Sequence, residues 1–489
     1  MKKEVFERLK YRNQYLLTPS SVECPFLHYR FNVGSKYVLY AHIDLVVNSV
    51  EQENVKLILL GDLFDYISPV KNNEDILKDL IDYEFDSLID AIGRYSGRYV
   101  IIYMKGEELK LFHDPTATRK IFYCNSQGEV WMASQPHLLA KILGLGKTMD
   151  PELLNFYESK EFILLRNANI GNITLYDEIR QLMPNHFLEV HGMKVIRFWP
   201  KIKIERRSLK EVTTQSAKLI EGFMESITNR YEVMLPVTAG KDSRMLLAAS
   251  KRFKEKVYYY INKSGDLTEN SADISVPRRL LTDLNLDFHI QEPSSEVDDE
   301  FKKIYFYNNE YESEEFLSII YNYFIKFGNK VNLPGNMASA GLEFYKSKRI
   351  KTSGKRLAKL NYVERYLFAI NYYEHWIAQR LDLIQTLKID MIDLFYWEER
   401  LANWGTQLQS AKDIAQEDIN PFNSRELIVL FLSVDPEYIA IPFFKLQKGI
   451  IKLLWPDLLK VPFNPGWRTS LRRLLKPMGI LDVYYRLKN

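Results

Sequence analysis

The sequence predicts an α/β protein in two parts. An α+β first domain of sheets packed with helices precedes a second domain built on a parallel sheet, with a mainly helical C-terminal part. Three observations carry this expectation. Short apolar or alternating runs punctuated by Gly, Asn and Asp crowd residues 28–200, as successive strands and turns do. From about residue 206, single strands alternate with helical stretches, which implies βαβ units. After about residue 350 the chain reads as helix, with long amphipathic stretches such as NYVERYLFAINYYEHWIAQRLDLIQTL. The exit from the first pattern, FWPKIKIERRSLKEV, places the boundary near 205, giving domains 1–205 and 206–489.

In chain order, LHYRFNV, KYVLYAHI, VKLILLG, YVIIYMK, LKLFHD, KIFYC, VWMAS, HFLEVHG and KVIRFW read as strands. Two helical patterns, NEDILKDLIDYEFDSLIDAIG and PHLLAKILG, interrupt them. In the second part a helix (SLKEVTTQSAKLIEGFMESITNR) leads into a strand (VMLPV), a turn and a helix (SRMLLAASKRF). A strand (KVYYYIN), a helix (SADISVPRRLLTDLNL) and a short strand (DFHIQ) follow. No internal repeat or low-complexity tract is visible.

Composition excludes several classes. The 489 residues carry 66 basic and 63 acidic side chains, a net charge of +3, so there is no general argument for a nucleic-acid or anionic-membrane partner. Two cysteines, Cys24 and Cys124, exclude a disulfide scaffold or a Cys-based zinc site. The N-terminal MKKEVFERLKYRNQYLL breaks its apolar residues with charges, unlike a secretory signal, and no apolar run approaches 18 residues. A reduced, cytoplasmic protein with no membrane span is the expectation.

The most informative stretch is VTAGKDSR, 237–244, at a strand-to-helix junction. Unpaired backbone N–H groups and the helix dipole make such a turn an anion site. Gly240 permits close approach of a phosphate, Thr238 and Ser243 offer hydroxyls, and Lys241 or Arg244 can add charge. Asp242 would repel a bare phosphate, which makes sense if it holds Mg²⁺. An ordinary capped helix start is the plainer alternative. The string lacks the GxxxxGK[ST] order. It resembles instead the SGGxDS pyrophosphate loop of ATP pyrophosphatases, specifically of the asparagine synthetase family. Thr238 and Ala239 replace the first Ser and Gly, while Gly240, Asp242 and Ser243 match.

Other stretches fall in order with that family. KVYYYIN, ending at Asn262, stands where adenine contacts arise; Asp273, Leu280, Leu281, Leu284, Asn285 and His289 follow its helix pattern. Pro277 replaces a small residue, expected in a first helical turn. HDPTATRKIFYC (113–124) and GRYVIIY (97–103) are similar to elements of class II glutamine amidotransferase domains, and NPFNSRELI (420–428) to the family's P-F-x-D-x-x-L element. The resemblance implies an Ntn-like α+β sandwich followed by an ATP pyrophosphatase domain. It also implies ATP and Mg²⁺ as cofactors, and a small-molecule or peptide carboxylate and an amine donor as partners. The nucleotide site would comprise Val237, Thr238, Ala239, Gly240, Lys241, Asp242, Ser243, Arg244, Asn262 and Gly335.

The sequence also departs from the family. Its glutaminase needs an N-terminal cysteine whose amine acts as base. Here Lys2 follows Met1, and reaching Cys24 would require removal of 23 residues. The first domain is therefore expected to be a retained scaffold, as in the glutamine-independent β-lactam synthetases and lasso peptide cyclases. In LPGNMASAGLEFY (333–345) Gly335 suits a phosphate contact, but the family's second acid has no clear equivalent. Glu343 is either a metal ligand beside Asp242 or a helix-face residue. For the transition-state cation, Lys460 and Arg468 are candidates out of register, and both can equally be solvated surface. The basic stretch KSKRIKTSGKRLAK (346–359) reads as a solvated loop or as a lid over phosphates. WEERLANW (397–404) reads as helix packing, or as acids and aromatics facing a substrate.

Overall fold

A computed structural model describes residues 3–263, 265, 267–310, 314–342, 345, 352–440 and 443–465. Its first part stacks two antiparallel six-stranded sheets. One runs, edge to edge, Arg180–Gln181, Phe122–Ser126, Glu129–Ala133, Tyr15–Thr18, Tyr37–His42 and His28–Val33. The other runs Lys194–Arg197, His186–Glu189, Glu108–His113, Ser96–Lys105, Val55–Phe64 and Val47–Gln52.

Period-two patterning decides which side chains meet. Along Val55–Phe64, Ile58 and Leu60 enter the layer between the sheets with Leu17, Leu39, Val100, Ile102 and Leu111. Leu57 and Leu59 point the other way, into a cluster with Ile76, Leu77 and Leu88. Those last three belong to the helices Asn73–Leu80 and Phe85–Ala91, so the single predicted helical stretch is two helices. The first begins with a capping box, in which Asn72 accepts from the Asp75 amide and the Asp75 carboxylate accepts from the Asn72 amide.

The outer face of the other sheet is covered by helices from both halves of the chain. Leu139, Phe156 and Tyr157 share one cluster with Leu357, Ala358, Tyr366, Tyr373 and Trp376. The long amphipathic stretch predicted over 361–387 is divided into the helices Leu367–Ala378 and Leu381–Leu387.

The second part is built on a four-stranded sheet in the order His289–Gln291, Val257–Asn262, Glu232–Pro236, Lys330–Asn332, with every neighbour parallel. A parallel strand buried on both faces reads as an apolar run, and Val233, Met234 and Leu235 are all at most 1% exposed. The helices Leu209–Arg230, Lys241–Ala249 and Ala272–Asp283 pack with it through Phe223, Leu246 and Leu280. Pro277 sits inside Ala272–Asp283, not in its first turn as expected. Lacking an N–H, it leaves the carbonyl of Asp273, four residues back, without its helical donor.

Buried polar contacts join the parts, among them two at Arg98 and Asn423. Arg98 donates to both oxygens of Asp413, at 2.5 and 2.8 Å. Asn423, within NPFNSRELI, donates to Asp114 Oδ1 and to the Gly97 carbonyl, both at 2.7 Å. Asp114 also gathers the amides of Thr118 and Arg119 at 2.9 Å, so HDPTATR folds around this one carboxylate. Among the described residues no helix is long and apolar enough to cross a membrane.

Candidate functional site

The strand Glu232–Pro236 ends at the centre of the parallel sheet, and the turn after it opens the helix Lys241–Ala249. Crevices beyond the carboxyl ends of such strands are where open α/β sheets take ligands. The Val237 amide donates to the Tyr260 carbonyl (2.8 Å), tying the turn to the next strand. The Thr238 amide donates to Ser243 Oγ (3.2 Å), the two hydroxyls lie 3.0 Å apart, and the Gly240 amide donates to Thr238 Oγ1 (3.2 Å). Thr238 and Ser243 therefore hold the turn closed on itself as well as offering oxygens to a ligand.

Two neighbours complete the cradle. Gly335 lies flat against the helix start: a Cβ there would stand 3.3 Å from the Asp242 carbonyl carbon and 3.4 Å from the Ser243 nitrogen. Asp273 accepts the Ala239 amide at 2.9 Å. Asp273 was visible in the sequence only as part of a helix pattern. Its role follows from topology, because the helix after the neighbouring parallel strand begins beside this turn.

Asp242 is half-buried, and both its oxygens lie 3.0 Å from Lys241 Nζ. Tyr396 also approaches it. Burial pushes that phenol up, with the Asp242 carboxylate adding to the rise, and its hydroxyl meets Ser339 at 2.8 Å. Among the described residues no three His, Cys, Asp or Glu side chains gather as a metal site. A single carboxylate at the start of a helix would suit Mg²⁺ if a phosphate lay in this turn, since that ion takes one or two carboxylates and completes its shell with phosphate oxygens and water. Lys241 is the charge such an ion would displace.

Other expected site residues are placed differently. Arg244 is fully buried and donates to the carbonyls of Val461 and Leu458 while stacking 4.7 Å from the Phe463 ring. It braces the segment 458–463 against the helix, so the expectation that it adds charge to the anion site is corrected. Burial lowers its pKa to about 10, with no carboxylate opposing.

Lys460 is exposed and pairs with Asp457 at 2.7 Å; its pKa is raised by that pair, with a smaller contribution from Asp283 at the far end of Ala272–Asp283. It is solvated surface rather than a cation aimed at the turn. Asn262 ends its strand with Nδ2 on the Tyr323 hydroxyl, while its buried Oδ1 has no hydrogen-bond partner. Arg468, Glu343 and residues 346–351 lie outside the described residues.

The rest of the basic stretch is a docked helix instead of a loop or lid. Ser353 caps Gly354–Leu360, Leu357 and Ala358 are buried, and the Gly354 amide donates to Glu374 at 2.7 Å. WEERLANW forms most of a π-helical stretch, Tyr396–Gly405. Burial by itself would raise the Glu398 carboxyl, but ion pairs with Arg197 and Arg380 pull it down to about 2. Burial pushes its neighbour Glu399 up to about 8, against the pull of Arg380. The Tyr372 hydroxyl donates to Glu399 at 3.2 Å.

Burial raises both thiols. Cys24 follows the strand Tyr15–Thr18, and burial pushes it up to about 11. Cys124 lies in Phe122–Ser126, and burial pushes it up to about 12.

No family model and no curated protein matches the chain. Solved structures similar to it include the glutamine phosphoribosylpyrophosphate amidotransferase of B. subtilis complexed with ADP and GMP. The two are 10% identical over 64% of this chain and 90% of that one, with a TM-score of 0.26. The allosteric regulatory enzyme of purine biosynthesis is 12% identical over 59% and 70%, with a TM-score of 0.25. The NH3-dependent NAD synthetase of Campylobacter jejuni subsp. jejuni, in complex with the nitrate ion, is 19% identical over 39% and 96%, with a TM-score of 0.20. Likeness at these scores says nothing of what this chain binds.

Proposed function

We propose that the chain is an ATP-dependent carbon–nitrogen ligase of the asparagine synthetase type. A substrate carboxylate is adenylated with release of pyrophosphate, and an amine then displaces AMP to form an amide. The observation that carries this reading is the turn 238–243, closed by Thr238 and Ser243, fastened by Asp273 and backed by Gly335. The amides of the turn at 238–240 are taken by Ser243, Asp273 and Thr238, so it is the first amides of Lys241–Ala249, with that helix's dipole, that suit the β and γ phosphates, leaving the α phosphorus open to attack. Such donors act by stabilising charge that grows on the departing pyrophosphate. Mg²⁺, when bound, neutralises phosphate charge, with Asp242 as its protein ligand.

In this reading 206–489 is the synthetase domain and 1–205 a scaffold without glutaminase activity. The high thiol pKa values of Cys24 and Cys124 support the latter, because the thiolate is the nucleophile. The amine then comes from solution or from a substrate, and no nucleic acid takes part.

A second reading, a nucleotide-binding protein without turnover, is favoured by the Lys241–Asp242 pair and by the outward placement of Lys460. Two measurements separate them. ATP with Mg²⁺ raises thermal stability in both, by mass action. Only the ligase yields AMP and pyrophosphate when candidate carboxylates and amines are supplied, read by chromatography of the nucleotides. ADP as the product refutes the assignment of the turn.

A further inference from the structure

A cavity of about 560 Å³ lies at the seam between the two parts of the chain, and none of its lining residues belongs to the 238–243 turn. Three segments form it: the helical segment 90–94 that ends Phe85–Ala91, the crossing segment 199–207, and the helix Arg425–Ser433 with Gln215 nearby. Trp199, Ile202, Ile204, Val429 and Leu430 make apolar walls. The volume is within the range of small-molecule sites.

The cations around this cavity are paired with carboxylates, with one exception. Lys201 pairs with Asp90 at 3.3 Å, Lys203 with Glu205 at 3.2 Å, Arg207 with Glu211 at 3.2 Å, and Arg94 with Asp65 at 3.0 Å. Glu426 accepts the Tyr66 hydroxyl at 3.2 Å. Arg425 has no such counter-ion among the described residues. It is 7% exposed, donates from Nη1 to the Ile89 carbonyl at 3.1 Å, and stacks 4.6 Å from the Phe198 ring. Its Nε is buried with no hydrogen-bond partner. Burial lowers its pKa, against smaller pulls upward from Tyr99 and Asp90, neither of which forms an ion pair or hydrogen bond with it.

We propose that this cavity binds a small monocarboxylate with an aromatic or similarly bulky apolar body, its carboxylate meeting Arg425. One unmatched cation calls for one negative charge, and a guanidinium fork fits a carboxylate in two places at once. A dianion such as sulfate or phosphate would set its second charge near Asp90 and Glu426, and would leave the apolar walls bare. The site is independent of the proposed ATP chemistry, and its test needs no turnover.

The test is calorimetric titration of the full chain with indole-3-acetate and benzoate, beside neutral indole-3-acetamide and inorganic sulfate. The carboxylates are expected to bind at least tenfold more tightly than the amide and the sulfate. Arg425→Met should abolish that preference. Should Arg425→Met lose its fold by circular dichroism, Val429→Trp, which fills the cavity and keeps the guanidinium, should lose carboxylate binding instead. Equal binding of acid and amide, tighter binding of sulfate, undiminished carboxylate binding by a folded Arg425→Met or by Val429→Trp, or no binding of either carboxylate overturns the proposal.

Discussion

Replacing Asp273 with alanine removes the acceptor of the Ala239 amide, a 2.9 Å bond to a residue that is itself fully buried. Ala239 is fully buried and Asp273 half-buried, so water entering where the carboxylate stood can compensate only in part. A buried donor left unsatisfied costs about 1–3 kcal/mol. The turn can escape the cost only by leaving the shape that Thr238 and Ser243 hold, so the penalty falls on the conformation proposed to take phosphates. Nucleotide affinity should therefore drop by about 5–150-fold. Asp273→Asn keeps an oxygen in place and loses only the charge assistance, which accounts for roughly half of such a bond, so its loss should be clearly smaller. Calorimetric titration with ATP and Mg²⁺ measures the affinities, and hydrogen exchange at the Ala239 amide reports the turn directly. Wild-type affinity in Asp273→Ala, together with unchanged exchange at Ala239, would show that the carboxylate does not fasten the turn.

Asp242→Asn keeps the volume and removes the charge, so turnover should fall by on the order of a hundredfold or more while ATP binding falls less, as steady-state kinetics and titration can compare. Lys460→Ala should leave turnover within about twofold, because exposed ion pairs contribute little; a large loss would restore it to the site. Glu399, at about 8 in the folded chain, lies above the roughly 4.3 of an unfolded carboxyl, so the native state keeps a proton that the unfolded chain has lost. Its contribution is complete below the lower value and declines as pH rises to the upper one. Thermal unfolding of Glu399→Gln should accordingly depend less on pH between 5 and 8 than that of the wild type, and an unchanged slope would contradict the raised value.

The strands of the sandwich were legible because each alternates or runs apolar between strong turn residues, as VKLILLG and YVIIYMK do. The turn between Glu232–Pro236 and Lys241–Ala249 was legible because strand, Gly, hydroxyls and helix follow one another within a dozen residues. What the sequence did not disclose depends on partners far along the chain. Arg244 looks like a cation beside a turn until residues 458–463 arrive and take its donors. Lys460 reads the same as any catalytic lysine until Asp457 claims it. The opposite fates of Glu398 and Glu399 hinge on Arg197, from a strand of the first part. Asp273 is the intermediate case: parallel pairing of adjacent strands, if assumed, would have put it beside Ala239.

The shared cluster of Leu139, Phe156 and Tyr157 with Leu357, Tyr373 and Trp376 has a practical corollary for anyone dividing this polypeptide. Truncation at residue 205 yields a fragment whose sheet has lost a lid of aromatic and aliphatic side chains, and a remainder carrying that lid with nothing beneath it. Both pieces would show greasy surfaces to solvent, and Asp114 would give up its amide donor from Asn423. Insoluble halves are the outcome to expect from such a cut. Co-expression of the two pieces, each shielding the other, is the route by which a split form could be recovered.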